Sequence, residues 1–186
     1  MPMLNLRPTE LVRGQAGSAA CPARRGQMTK RSCPAPEKDI DPIRRFHVQD
    51  LRRILRIERE AFAADAWPGD LFGEYAAMWP TFFLVAPAGV RIAGYSIACP
   101  TRGGAELASI AVAARYRGKG IATALIRATI RKLKRTGVKA LWLTVRPDNR
   151  DAIQLYRRIG FMRKRTVRGY YEDGSDGWRM CLALSG

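Results

Sequence analysis

Residues 108–135, ASIAVAARYRGKGIATALIRATIRKLKR, constrain the fold more than any other stretch of the chain. An apolar run of strand length ends in two glycines one residue apart, and a helical pattern begins at once. Ala122, Leu125, Ile126, Thr129, Ile130 and Leu133 form one apolar stripe, and Arg127, Arg131, Lys134 and Arg135 cover the opposite side. A strand that turns directly into a helix leaves the first-turn N–H groups without intrahelical acceptors at the positive end of the helix dipole. Glycines there let a ligand approach the main chain. Such a corner suits phosphate. The spacing is not that of a Walker loop, and the third glycine and acidic ribose ligand of the dinucleotide fingerprint are missing, which disfavours ATP and NAD.

Charge concentrates at the same place. The formal net charge is +17, and from Leu107 to Pro147 there is no Asp or Glu, while Arg115, Arg117, Lys119, Arg127, Arg131, Lys132, Lys134, Arg135, Lys139 and Arg146 all fall inside. That field points to a polyanionic partner: a phosphorylated ligand, a ribosome or nucleic acid. No nucleic-acid-binding motif accompanies it. No apolar run is long enough to span a bilayer and no secretory leader is recognisable, so a soluble cytoplasmic protein is expected. Cys21, Cys33, Cys99 and Cys181 are scattered and His47 is the single histidine, so neither a metal site nor a disulfide framework is expected.

Residues 1–42 mix Pro, Gly, Ser, Ala and Arg without sustained periodicity and read as a flexible basic extension, with Met28 as an alternative start. Residues 43–186 read as one domain. IRRFHV is expected to be a strand, Asp50 a cap, and Leu51, Ile54, Leu55, Glu58, Ala61 and Phe62 a helix face, with His47 structural. ADAWPGDLF reads as a turn and short helix, and TFFLVAP with RIAGYSIAC as a hairpin about Gly89. AELASIAV is the next strand, followed by a helix over 119–136 that Gly137 ends. KALWLTVR is a buried strand, and PDNRDAIQLYRRIGF a helix with Ala152, Leu155, Tyr156 and Ile159 inward. FMRKRTV and WRMCLAL close the chain as strands around the loop RGYYEDGSDG. This order specifies a mixed α/β sheet.

From about residue 43 to 184 the chain resembles the GCN5-related N-acetyltransferase (GNAT) superfamily. The resemblance rests on Arg117, Gly118, Lys119, Gly120, Ile121 and Ala122, preceded by SIAV and followed by NRDAIQLYRRIGF. Within it, LWLTVRPDNRDAIQLYRRIGF and GYYEDGSDGWRM look most like the protein N-terminal α-amine acetyltransferases, including the ribosomal-protein alanine branch. The resemblance implies a central, mostly antiparallel mixed sheet with splayed central strands flanked by helices. It also implies acetyl-CoA as cofactor and an amine acceptor, either a protein N-terminus or another amine. On the same ground Ile110, Ala111 and Val112 bind the pantetheine arm through their main chain, Arg117 to Thr123 bind phosphate, and Asn149 reaches the arm. Tyr156 is the acid. The branch carries a Glu where this chain has Thr144. Glu106, matching the catalytic Glu of histone-acetylating relatives, is therefore the expected base, with Glu58, Glu60 and Asp65 as further carboxylates. Tyr170, Tyr171, Asp65 and Trp67 are expected to contact the acceptor. An acetyltransferase for lysine or small amines, and a non-catalytic coenzyme A or nucleic-acid binder, remain as alternatives.

Overall fold

A computed structural model describes residues 41–184; the expected extension, apart from its last two residues, and the alternative start at Met28 lie outside the described residues. The strands are β1 (Arg44–Arg45), β2 (Phe83–Ala88), β3 (Arg91–Thr101), β4 (Gly104–Val112), β5 (Ala140–Val145), β6 (Met162–Val167) and β7 (Gly177–Ala183). The α-helices are α1 (Leu51–Phe62), α2 (Gly69–Met78), α3 (Ile121–Arg135) and α4 (Arg150–Ile159). The strands form one sheet in the order β1-β2-β3-β4-β5-β7-β6. Only the β4–β5 pair is parallel, as it must be when α3 carries the chain across from one to the other.

Each face of the sheet has its own core. On one, α3 and α4 lay Leu125, Ile126, Leu133, Ala152 and Tyr156 against Leu107, Ile110, Leu141, Leu143 and Met180. On the other, α1 and α2 lay Ile54, Ile57, Phe62, Phe72 and Tyr75 against Phe83, Val85, Tyr95 and Ile97. The stripe read from residues 121–133 is thus the buried face of α3, with Ile130 at its margin. Ser96 on β3 and Thr129 on α3, both fully buried, are hydrogen-bonded at 3.2 Å, a polar pin through an otherwise apolar seam.

Two expectations for the N-terminal end change. The expected strand IRRFHV shortens to Arg44–Arg45, after which the Phe46 N–H donates to the Phe83 carbonyl (2.9 Å). Asp50 precedes α1, but its carboxylate does not cap it. It turns back to accept from Arg44 (2.7 and 2.9 Å) and from the His47 N–H (2.9 Å), a charged fork stronger than one neutral cap bond. Asp41 is tied to the β2–β3 hairpin: its N–H donates to the Pro87 carbonyl and its carboxylate accepts from the Gly89 N–H.

The central strands part. β4 and β5 pair only at Ala105↔Leu141 and Glu106↔Trp142. Just beyond, β3 pairs Ala98 with Leu107 but Ile97 with Ser109, so Ala108 is an extra residue on β4. Such a bulge bends its strand and ends regular pairing. It turns the rest of β4 away from β5, leaving a wedge between residues 107–112 and 143–145.

Thr129→Val keeps the shape of the α3 seam and strands the Ser96 hydroxyl. We expect it to cost about 1–3 kcal/mol in denaturant unfolding, and the double variant Ser96→Ala/Thr129→Val to recover most of that loss, because both partners are then apolar.

Candidate active site

The wedge is lined from both faces of the sheet. Ala105 and Leu107 point into the α3/α4 core, so Glu106 between them points to the α1/α2 face. By the same alternation Trp142 and Thr144 lie between Leu141, Leu143 and Val145, and Arg179 lies between Trp178 and Met180, all facing the Glu106 side. Tyr156 comes from the opposite core, fully buried, with its ring edge-on to Phe161 at 5.7 Å.

The main chain of β4 is divided in the same way. The Ala113 N–H donates to the Ala93 carbonyl at 2.9 Å, so alternate residues turn their amide groups to β3 and to the wedge. Ile110 and Val112 face the wedge. Ala111 turns to β3, where its carbonyl oxygen would lie 2.7 Å from a Cβ placed on Gly94. Of the three residues singled out in sequence, Ile110 and Val112 therefore offer main-chain groups there, and Ala111 contributes its small buried side chain to the other core.

At the mouth of the wedge, Gly118 and Gly120 both have φ +77°, and a Cβ built at either meets no atom within 4 Å. Their backbone angles require glycine, and the space in front of them is open. Gly120 precedes α3, and no side chain caps that end, so the N–H groups of Ile121, Ala122 and Thr123 open the helix without a side-chain acceptor. Arg117 donates through Nε to the Val112 carbonyl (3.1 Å), fixing its guanidinium beside the corner that Lys119 also joins. Asn149 is buried where α4 begins, and its Oδ1 accepts from the Ala152 N–H at 3.2 Å. The structure thus shows it as a helix cap beside the wedge.

Arg146, just after β5, gathers the loops over the α1/α2 face. It binds Asp65 at 3.2 Å, Asp173 at 2.8 Å and Ser175 Oγ at 2.5 Å, and its guanidinium lies 3.9 Å from the Tyr171 ring centre. The Tyr171 ring packs edge-on to Tyr170 at 5.0 Å. A Cβ on Gly177 would sit 2.5 Å from Thr144 Cγ2 and 3.1 Å from the Tyr170 ring, so glycine is needed there for Tyr170 to rest over Thr144. Asp65, Tyr170 and Tyr171 are brought together. Trp67 is not: its indole is buried in the α1/α2 core, stacked on Tyr75 at 4.8 Å.

Titration follows from this burial. Desolvation raises the Tyr156 phenol, with Tyr171 adding to the rise, so it stays protonated and keeps an O–H to donate. Desolvation lifts the Glu106 carboxyl above its usual value, opposed by Arg179 at 2.5 Å. Glu58, fully buried on α1, is pushed up to about 7 by desolvation. It accepts from the Trp67 N–H (3.0 Å) and from the Tyr95 hydroxyl, which also meets Ser109 Oγ at 2.9 Å. The sequence left Glu58 at the edge of the core, and what it could not supply was Tyr95, 37 residues away. Glu60 binds the Ala114 N–H at 2.7 Å and holds α1 to the turn after β4.

Comparison with known proteins follows the same outline. Residues 48–161 match the acetyltransferase (GNAT) family. An N-alpha-acetyltransferase of Sulfurisphaera tokodaii is 31% identical over 155 residues, 76% of this chain and 92% of its own. The [Ribosomal protein bS18]-alanine N-acetyltransferase of Escherichia coli is 32% identical over 149 residues, 78% of this chain and 99% of its own. Among solved structures, Ard1 from Thermoplasma volcanium superposes with a TM-score of 0.73 at 25% identity, covering 78% of this chain and 98% of that one. The ribosomal-protein-S18-alanine N-acetyltransferase from Escherichia coli superposes with a TM-score of 0.68 at 31% identity, covering 78% and 94%.

Glu58 generates a prediction of definite sign. Its folded value near 7 exceeds the ordinary carboxylate value of 4.5, so between those pH values the folded chain holds a proton that the unfolded chain has lost. Stability from this group is complete below about 4.5 and lost as pH rises through about 7. Denaturant unfolding at pH 5 and pH 8 should show a fall of about 2–3 kcal/mol from this source. In Glu58→Gln, which keeps an acceptor for Trp67, that fall should disappear.

Proposed function

The chain belongs to the acetyltransferase (GNAT) family, and from that membership we propose that it transfers an acetyl group from acetyl-CoA to the N-terminal α-amine of a protein. The observation that carries the choice of acceptor is the likeness to relatives named for N-terminal acetylation along 92% and 99% of their own lengths. Enclosure of the α1/α2 side of the wedge by Tyr170, Tyr171 and Asp65 under Arg146 supports the same reading.

The residues present fit acetyl-CoA. Open space before Gly118 and Gly120, the uncapped start of α3 and the fixed Arg117 suit its phosphates, and the wedge suits an extended arm. When bound, acetyl-CoA supplies an activated acyl group as a thioester. The Val112 N–H, turned into the wedge, is a donor for the thioester carbonyl as charge develops on its oxygen. The incoming α-amine has a reference pKa of about 8 and must lose a proton to react. Glu106, on the acceptor side, takes that proton, directly or through a water. Tyr156, on the other side, returns one to the departing thiolate. Acid and base thus reach the same gap from opposite faces and do not neutralise each other. The exposed face of α3, with Arg127, Arg131, Lys134 and Arg135, supports an electrostatic association with a polyanion such as the ribosome.

The test is acetyl transfer to peptides with free α-amines, to blocked peptides carrying only lysine, and to small polyamines. Transfer confined to free α-amines is expected, and transfer confined to lysine or polyamines overturns the acceptor. Tyr156→Phe should lower kcat by about 10²-fold or more while leaving the acetyl-CoA Kd unchanged. Gly120→Glu places a carboxylate before the phosphate corner and an unfavourable backbone angle on a side chain. Calorimetry should find acetyl-CoA binding weakened by more than about 100-fold with the fold retained.

A further inference from the structure

The resemblance to the ribosomal-protein branch implies a Glu at the position of Thr144, and in this chain Thr144 is instead part of a contact between three strands. Thr144 and Arg179 are cross-strand partners on β5 and β7. The Arg179 side chain runs over β5 toward β4, where Nη1 donates to Thr144 Oγ1 at 3.2 Å and to Glu106 Oε1 at 2.5 Å. Its guanidinium lies 5.2 Å from the Trp142 ring centre.

We propose that Arg179 is the positioning residue for Glu106, holding the carboxylate at the point where β4 and β5 part. The inference rests on the reading of Glu106 as the base. Burial favours the protonated carboxyl, which is no base, and the Arg179 guanidinium opposes that shift. The Glu106 side chain is 5% exposed and that of Arg179 21%, so the pair is shielded on the carboxylate side and wet on the guanidinium side. β3 presents the Cys99 thiol, which burial and Glu106 keep protonated. β5 presents Trp142 and Thr144, neither of which titrates. α1 presents Glu58, committed to Trp67 and Tyr95. Arg179 is the cation that faces it among the described residues.

Arg179 touches no reacting atom in this scheme, so its test needs a readout that a structural role would not move. Glu106 is titrated by NMR in protein carrying 13Cδ-labelled glutamate, its resonance assigned by loss in Glu106→Gln. In parallel, the pH profile of kcat is recorded with saturating acetyl-CoA and a free-α-amine peptide. Arg179→Gln retains a hydrogen-bond donor and removes the charge. It is expected to raise the Glu106 titration, and the acid limb of kcat with it, by about one to two pH units. At pH 7 activity then falls, and it recovers at higher pH. Arg179→Lys, which keeps the charge, should return both values most of the way, and it carries the test if Arg179→Gln fails to fold. Loss of activity at every pH with an unmoved Glu106 titration overturns the positioning role and leaves the base assignment standing. An acid limb that survives in Glu106→Gln overturns the base assignment, and the inference with it.

Discussion

The structure depends on the parting of β4 from β5 after two residue pairs. Parallel strands joined through a helix pair with slanted, evenly spaced bonds that are slightly weaker than antiparallel ones, and here a single extra residue, Ala108, is enough to end the pairing. The cost is a set of main-chain groups with no partner strand. The gain is a slot through an otherwise continuous sheet, with N–H and C=O groups of Ile110 and Val112 along one edge. A ligand arm that pairs with that edge replaces the missing strand.

A slot through a sheet separates what enters from the two faces. Tyr156, from α4, belongs to the face that α3 and α4 cover, and Glu106, Thr144 and Arg179 belong to the face that α1 and α2 cover. Burial acts on both ionisable groups in the same direction, raising each. For a phenol that makes a secure proton donor. For the Glu106 carboxylate it disfavours the charged form, and Arg179 is the opposing charge. A second buried carboxylate, Glu58, has no cation among its hydrogen-bond partners in the described residues and is pushed up to about 7. Its bonds to the Trp67 N–H and the Tyr95 hydroxyl connect α1, the turn that leads into α2, and β3, so its place is in the scaffold under the acceptor loop.

Much of this was legible in the residues. The α3 stripe, the glycine corner, Gly160 after α4 and the alternation of the strands each arise from local rules of period and backbone freedom, and the elements formed close to where those rules put them. Asp50 was misread because a local cap rule competes with a charged partner, Arg44, whose distance in space the pattern does not contain. Trp67 was read as an acceptor contact because it lies in an acceptor loop, yet aromatic stacking on Tyr75 draws its ring into the core. Ala111 was grouped with its neighbours because a three-residue motif does not say which amides point to which edge.

By itself the sequence determined the order of the elements and the acid-free basic corner before α3, since period, glycine placement and charge are properties of neighbours along the chain. Only the tertiary structure decided that Arg146 joins Asp65 to the Tyr171 loop and that Arg179 reaches Glu106. Those contacts span 81, 27 and 73 residues of sequence. Which cation meets which carboxylate is settled by strand register and the bulge in β4, and register is a property of the assembled sheet.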